Sequence, residues 1–155
     1  MRFMVAGIAP ALVWATAVVA QPRGPVDCEE AGAGLWSIAP GEDGSGLRSF
    51  YNGQVTVVAL NLIEPAAAPG GVAIVMPGVE RDDEPTSPAC WAFTGFDWVE
   101  VGAATAEYDP AQGLLLTLPI SRWDEERQRS VPAAPLRIRI DLRRGQVDVV
   151  GSVNR

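Results

Sequence analysis

Carboxylates have the most scope for catalysis in this 155-residue chain, because histidine and lysine are absent and all 12 basic residues are arginine. Without imidazole, the Ser-His-Asp and Cys-His nucleophilic arrangements are excluded, together with imidazole-dependent zinc sites. Without lysine, Schiff-base catalysis and the P-loop lysine are excluded as well. A pair of carboxylates could still act as acid and base, as in glycosidases.

The acidic residues fall into two groups. Four lie on predicted strands or at their ends: Glu64, Asp97, Glu100 and Glu107. Four more lie in one proline-bounded loop and are the best calcium candidates: Glu80, Asp82, Asp83 and Glu84. Nothing in the spacing pairs the strand acids, and the loop lacks the D-x-D-x-D-G pattern of calcium sites. Strand acids and charge runs are usually solvated, so we assign no catalytic, cofactor or metal residue.

Tryptophans are the residues best suited to binding, because aromatic anchors dominate protein interfaces. Four follow the N-terminal 20 residues: Trp36, Trp91, Trp98 and Trp123. The first three lie in predicted strands near Cys90, so we expect them to pack around it. Trp123 lies in a charged segment without an apolar partner at strand spacing. It is predicted to be either a lid over one end of the fold or an exposed contact for a partner or ligand.

Residues 1–20 have the pattern of a signal peptide: one charge at Arg2, an apolar run, and small residues before the predicted cut after Ala20. A membrane anchor is the alternative, but Pro10 within the run and the small-residue exit favour cleavage. We therefore expect a periplasmic or secreted protein without membrane insertion after cleavage. The abundance of alanine, glycine, proline and arginine beside zero lysine is typical of a high-GC bacterial gene.

Cys28 and Cys90 are the two cysteines of the chain, and an exported pair is most simply a structural disulfide. The alternative, a redox-active pair, lacks the C-x-x-C spacing that lowers a thiol pKa. Arg2 is the one charged residue before the predicted cut, so cleavage leaves 11 arginines against 19 acidic residues, a formal charge of −8. This charge repels phosphates, so nucleic acid is excluded as an expected partner.

Residues 21–155 predict a single all-β domain, either an antiparallel β-sandwich or a small β-barrel of about eight strands. The domain begins with a short extended arm at residues 21–27. Strands are predicted at residues 35–38 and 97–108, and residues 121–130 are predicted to form one or two helical turns. Asn52-Gly53 predicts a two-residue type I′ hairpin turn.

The clearest element is a C-terminal hairpin. Residues 136–142 alternate apolar and charged side chains, which places leucine and isoleucine inward and Arg137, Arg139 and Asp141 outward. Gly145 then permits the turn that returns the chain as a second strand.

Three functions are compatible with these features. We expect first an exported bacterial envelope protein that acts as a non-catalytic binding or accessory module, with an acidic surface suited to a basic protein partner. One alternative is a carrier of a small apolar ligand inside a β-barrel, for which the leucine-rich residues 114–120 give some support. The second alternative is a carboxylate-dependent hydrolase. No family motif decides among them.

Overall fold

The computed structural model describes residues 23–41, 43–62, 69–79 and 87–151. The predicted signal peptide and its cleavage point lie outside these residues. So do Glu64 and the acidic group Glu80, Asp82, Asp83 and Glu84. The predictions made for them therefore remain predictions.

The described residues contain twelve strands and two short 3-10 helices, Leu35–Ser37 and Val101–Ala103. In chain order the strands are β1 (Arg23–Asp27), β2 (Leu47–Phe50), β3 (Val55–Asn61), β4 (Gly70–Met76), β5 (Ala89–Phe96), β6 (Trp98–Val99), β7 (Thr105–Asp109), β8 (Gly113–Leu118), β9 (Ile120–Asp124), β10 (Arg129–Pro132), β11 (Leu136–Asp141) and β12 (Gln146–Val149). The all-β prediction is confirmed. The described strands outnumber the predicted eight because the N-terminal arm and residues 121–130 also form strands, and because residues 97–108 are divided between two sheets.

The strands form three antiparallel sheets. Sheet I has the order β1-β5-β4-β3-β2, sheet II the order β12-β11-β8-β7, and sheet III the order β10-β9-β6. They do not close into a barrel, and the arrangement is that of a β-sandwich. Of the two predicted architectures, the sandwich is therefore the one that the fold supports.

The main core lies between the inward faces of the three sheets. Sheet I contributes alternate residues such as Val57 and Ile74, sheet II contributes Leu116 and Ile138, and sheet III contributes Ile120. Period-two alternation puts these side chains on one face of each strand. The leucine-rich strand β8 therefore packs into this core. The carrier hypothesis was based on these leucines lining the interior of a barrel, and the fold does not provide that interior.

The C-terminal hairpin forms as predicted, with β11 paired to β12 and to β8. Ile138 and Ile140 are fully buried whereas Arg137 is exposed. Gly145 adopts a positive φ of 63° in the turn. Alternation therefore determined both the register and the buried face of this hairpin.

The positive φ predicted for Asn52-Gly53 is confirmed, but the loop is longer than the predicted two residues, because the last paired residues are Phe50 and Val55. Asn52 and Gly53 have φ values of 54° and 81°, and the Gln54 N–H donates to the Tyr51 carbonyl at 3.1 Å. These are features of a type I′ turn, whose twist matches that of the paired strands β2 and β3.

The predicted helical turns at residues 121–130 are wrong, because this segment is the β9–β10 hairpin. The Asp124 carboxylate accepts hydrogen bonds from the backbone N–H and the guanidinium of Arg127, at 2.9 and 2.6 Å. The backbone hydrogen bond, followed by the side-chain bond and charge of Arg127, lowers the pKa of Asp124 from its usual value. The acidic residue interpreted as helix capping closes a hairpin loop instead.

Two predicted strands are also incorrect. Residues 35–38 contain a 3-10 helix, since Ser37 closes a turn onto Gly34. Residues 97–108 are divided into β6, a 3-10 helix and β7, and so pass from sheet III to sheet II. Arg48 stabilises this crossing by donating to the carbonyls of Gly102 and Ala104 at 3.0 and 2.6 Å.

The N-terminal arm is extended, but it is not free. Within it, β1 pairs with β5 as an edge strand of sheet I, with Val26 opposite Ala92 and Asp27 opposite Trp91. This pairing satisfies backbone groups of the arm and brings Cys28 towards Cys90.

Candidate functional site

The predicted disulfide is confirmed. Cys28 and Cys90 are bonded, with their Cα atoms 5.5 Å apart and a separation of 62 positions in sequence. The bond lies on the outward face of sheet I, in a second apolar cluster that includes Val58, Leu60 and Ala92. Residues 28–39 run over this face and cover part of it. We refer to them as the cover segment.

The cover segment is held at both ends by backbone hydrogen bonds. Near its start, the Cys28 N–H donates to the Cys90 carbonyl at 3.2 Å, and the Ala33 N–H donates to the Cys28 carbonyl at 2.8 Å. At its end, the Ala39 N–H donates to the Ala59 carbonyl at 2.9 Å. With the disulfide, these bonds fix the path of the segment across sheet I.

A short turn in the cover segment is fixed by Ser37, the one buried polar residue of the described chain. Its hydroxyl accepts from the Gly34 N–H and donates to the Gly34 carbonyl, both at 2.8 Å. The Trp36 ring folds back over Gly34, where a Cβ atom would lie within 2.6 Å of the indole. Gly34 therefore makes room for the ring, and Ser37 fixes the backbone beneath it.

This turn displays large apolar side chains to solvent. Leu35 is 86 % exposed and Trp36 is 79 % exposed, the highest values among the large hydrophobic residues described. Ile38 lies opposite Leu60 of β3, and the exposed Leu47 lies opposite Val58, two residues away along the same strand. Ile38 and Leu47 therefore share the outward face of sheet I. We refer to Leu35, Trp36, Ile38 and Leu47 as the Trp36 patch.

The tryptophans are placed differently from the prediction. Trp91 is partly buried, but it packs against the main core and not around the disulfide, which lies in the second cluster on the other face of sheet I. Trp36 and Trp98 do not pack around the disulfide, because Trp36 lies on the 3-10 helix and Trp98 faces outward from β6. Their exposure corrects the core assignment that was based on predicted strands.

Trp123 is 43 % exposed on β9, and Trp98 is 40 % exposed on the neighbouring β6. Trp98 pairs with Ser121, two residues before Trp123, so both indoles lie on the outward face of sheet III. Trp123 therefore covers no end of the sandwich and is accessible, while its assignment as a contact residue remains a prediction.

The three strand acids that the structure describes are distributed along the chain crossing and sheet II. The backbone N–H groups of Asp97 and Glu100 donate to the carbonyls of Ser121 and Pro119, whereas Glu107 lies on β7 opposite Leu115. Within residues 23–41, 43–62, 69–79 and 87–151, no three acidic or cysteine side chains are grouped to hold a metal ion.

Sequence reasoning missed Leu35 as a functional candidate and assigned Trp36 to the core. A local signal was present, since Gly34 and Ser37 flank the Leu-Trp pair and both residue types favour turns. When turn-forming residues flank two large apolar residues, the apolar side chains are expected to be exposed and not buried.

Comparisons of this chain with protein-family models, curated proteins and solved structures find no match. In the part of the chain that the structure describes, no helix has the length and apolar character needed to cross a bilayer. The candidate function is therefore argued from the geometry of the Trp36 patch.

Proposed function

We propose that this chain is an exported bacterial envelope protein, and that it acts as a non-catalytic binding module that docks on a basic protein through the Trp36 patch. The observation that carries this proposal is the 79 % exposure of Trp36 on a backbone fixed by Ser37 and Gly34. The disulfide is compatible with the oxidising compartments that export would reach.

Exposure on a fixed backbone favours binding for an energetic reason. Each large apolar side chain left in water forgoes about 1.5–3 kcal/mol of burial free energy. A partner that covers Leu35 and Trp36 recovers this free energy. Because the turn is already ordered, little backbone entropy is lost on binding, so more of the contact energy contributes to affinity.

Charge supports a basic partner. The whole chain has 19 acidic and 12 basic residues and a formal net charge of −7. A surrounding field of this sign attracts cationic proteins and speeds their association, while the apolar patch provides the contact energy. We therefore expect the partner to present an apolar pocket bordered by arginine or lysine.

The first test identifies the partner in the native compartment. Leu35 is replaced by photoreactive p-benzoylphenylalanine, and Glu107 on β7 is replaced in a control. Irradiation of the producing cells should give one cross-linked protein with the probe at residue 35 and not at residue 107. If both positions give the same products, the Trp36 patch is not a specific docking surface.

The second test uses the purified partner. Trp36→Ala should weaken binding about 30-fold, as for an aromatic hot spot worth about 2 kcal/mol. Trp98→Ala is the matched control, since it removes another exposed indole, on the outward face of sheet III, and it should leave the dissociation constant unchanged. Affinity should also fall as salt is added. Equal effects of the two substitutions would contradict the proposal.

A further inference from the structure

Three turns meet at one end of the sandwich and enclose a small cleft. They are the β2–β3 turn with Tyr51, the β7–β8 turn that follows Tyr108, and the β11–β12 turn with Arg143. The cleft has a volume of about 70 Å³, and Pro110, Ala111 and Leu142 contribute apolar surface to it. A cleft with apolar surface and a few polar side-chain groups is typical of small-ligand sites.

Tyr51 is held in an unfavourable backbone conformation at this cleft. Its φ is 50°, in the left-handed region that bulky residues rarely occupy. Such strain costs of order 1–3 kcal/mol and persists where surrounding structure imposes it. The Tyr51 ring lies against the Tyr108 ring, with centroids 5.0 Å apart and planes tilted by 36°. The strained turn therefore places two phenols side by side.

The polar groups of the cleft are mainly donors. Hydrogen bonding to the Tyr108 phenol, followed by charge repulsion from it, raises the pKa of Tyr51, whereas the positive charge of Arg143 lowers it. Phenol hydroxyls and guanidinium groups are hydrogen-bond donors, so Tyr51, Tyr108 and Arg143 can each donate to a ligand in the cleft that they line.

Asp141 also lines the cleft, but its carboxylate is already used in the turn. Its Oδ1 accepts from the backbone N–H groups of Arg143 and Arg144 at 3.0 and 3.3 Å. Its Oδ2 lies 3.7 Å from Nε of Arg144. Arg144 therefore offsets the charge of Asp141, and Arg143 supplies the positive charge at the cleft.

We propose that this cleft binds a carboxylate attached to a short apolar group, with Arg143 and the Tyr108 hydroxyl donating to the carboxylate oxygens. Planar guanidinium groups match carboxylates with two parallel hydrogen bonds. The apolar group would contact Pro110, Ala111 and Leu142. The chemistry is shared by small free carboxylates and by the C-terminal carboxylate of a peptide. This site does not depend on the Trp36 patch or on the function proposed for it.

The test titrates the 15N-labelled protein with three probes and follows the Arg143 side-chain and the Tyr51 and Tyr108 ring signals by NMR. The probes are propionate, N-acetyl-Ala-Ala with a free C-terminus, and the same peptide as its C-terminal amide. At least one carboxylate probe should shift these signals with saturation, and the amide should bind at least tenfold more weakly. A peptide advantage of tenfold or more over propionate identifies a chain terminus as the source, whereas similar affinities identify small free carboxylates.

Two conservative variants test the assigned donors. Arg143→Gln and Tyr108→Phe should each weaken carboxylate binding about tenfold, the effect of losing about 1.4 kcal/mol of hydrogen bonding. Arg137→Gln is the matched control, because Arg137 is an exposed arginine on β11 away from the cleft, and it should bind as the unmodified chain does. The proposal is overturned if no carboxylate probe saturates, if the amide binds equally well, or if Arg143→Gln and Arg137→Gln are indistinguishable. The result does not depend on whether a partner binds through Trp36, so the two proposals can fail separately.

Discussion

The cover segment and the C-terminal hairpin differ in where they place their large apolar side chains. In the hairpin, the isoleucines of β11 are fully buried between sheets. In the cover segment, Leu35 and Trp36 are almost fully exposed although they follow the disulfide closely in sequence. The difference shows that paired strands fix the direction of side chains by pleat, whereas a hydrogen-bonded turn fixes its backbone and leaves large side chains free to point outward.

The stabilisation of the two regions differs in kind as well. The hairpin is stabilised by burial, so its contribution depends on the volume of its side chains. The cover segment is stabilised by a cross-link and a few hydrogen bonds, so its contribution depends on single covalent and polar groups. Substitutions in the two regions should therefore separate these effects.

The largest effect is expected from the disulfide. The double substitution Cys28→Ala with Cys90→Ala should lower the free energy of unfolding by about 4 kcal/mol, since a bridge over 62 residues restricts the unfolded chain. Urea denaturation followed by tryptophan fluorescence measures this change. A loss below about 1 kcal/mol would mean that the cross-link restricts the unfolded chain much less than the length of the closed loop implies.

Truncation of the hairpin core should be the next largest effect. Ile138→Ala should lower the free energy of unfolding by about 3 kcal/mol, because it removes buried methylenes and leaves a cavity. Arg137→Ala, one residue earlier on the same strand, should change it by less than about 0.5 kcal/mol. Similar losses for these neighbouring residues would contradict the assignment of inward and outward faces.

A smaller effect is expected at the turn that displays Trp36. Ser37→Ala should cost about 1 kcal/mol in unfolding free energy, because the Gly34 N–H loses its partner, whereas the Gly34 carbonyl still accepts from the Ser37 backbone N–H. Ser130→Ala serves as the control, since its hydroxyl lies in a long, exposed contact of 3.5 Å with Ser121. Thermal or urea unfolding of both variants measures the difference. If Ser37→Ala is as harmless as the control, the turn is not fixed by this side chain.

The smallest effect on stability is expected for Trp36 itself. Trp36→Ser should change the free energy of unfolding by less than about 0.5 kcal/mol, because the indole is mostly in water. Trp91→Ser should destabilise much more, since Trp91 packs against the main core. A large loss at Trp36 would indicate that the indole stabilises the fold, and would remove the argument for its display.

The sequence predicted the regular parts of the fold for local reasons. Alternation in residues 136–142 identified the buried isoleucines, and Asn52-Gly53 identified a turn that requires positive φ. The same local reasoning failed for residues 121–130, because a serine and an acidic residue three positions apart suit both a helix start and a hairpin loop. Pairing with β6 selects the hairpin, and this partner is distant in sequence.

The candidate sites were harder to predict because they depend on contacts between distant segments. Tyr51, Tyr108 and Arg143 have no shared local pattern, and they meet because three turns lie at one end of the sandwich. Trp36 was assigned to the core because its neighbours resembled a strand, although Gly34 and Ser37 gave a local indication of the turn. Exposure depends on what packs over a side chain, and one segment does not contain that information.

The sequence alone determined the all-β class, the pairing of the two cysteines and the buried face of the C-terminal hairpin. Side-chain alternation and turn residues act on neighbouring positions, and two cysteines allow only one pairing within the chain. The tertiary structure decided which tryptophans reach solvent and which polar residues share a cleft. These outcomes depend on how sheets and turns pack together, and packing joins residues that lie far apart along the chain.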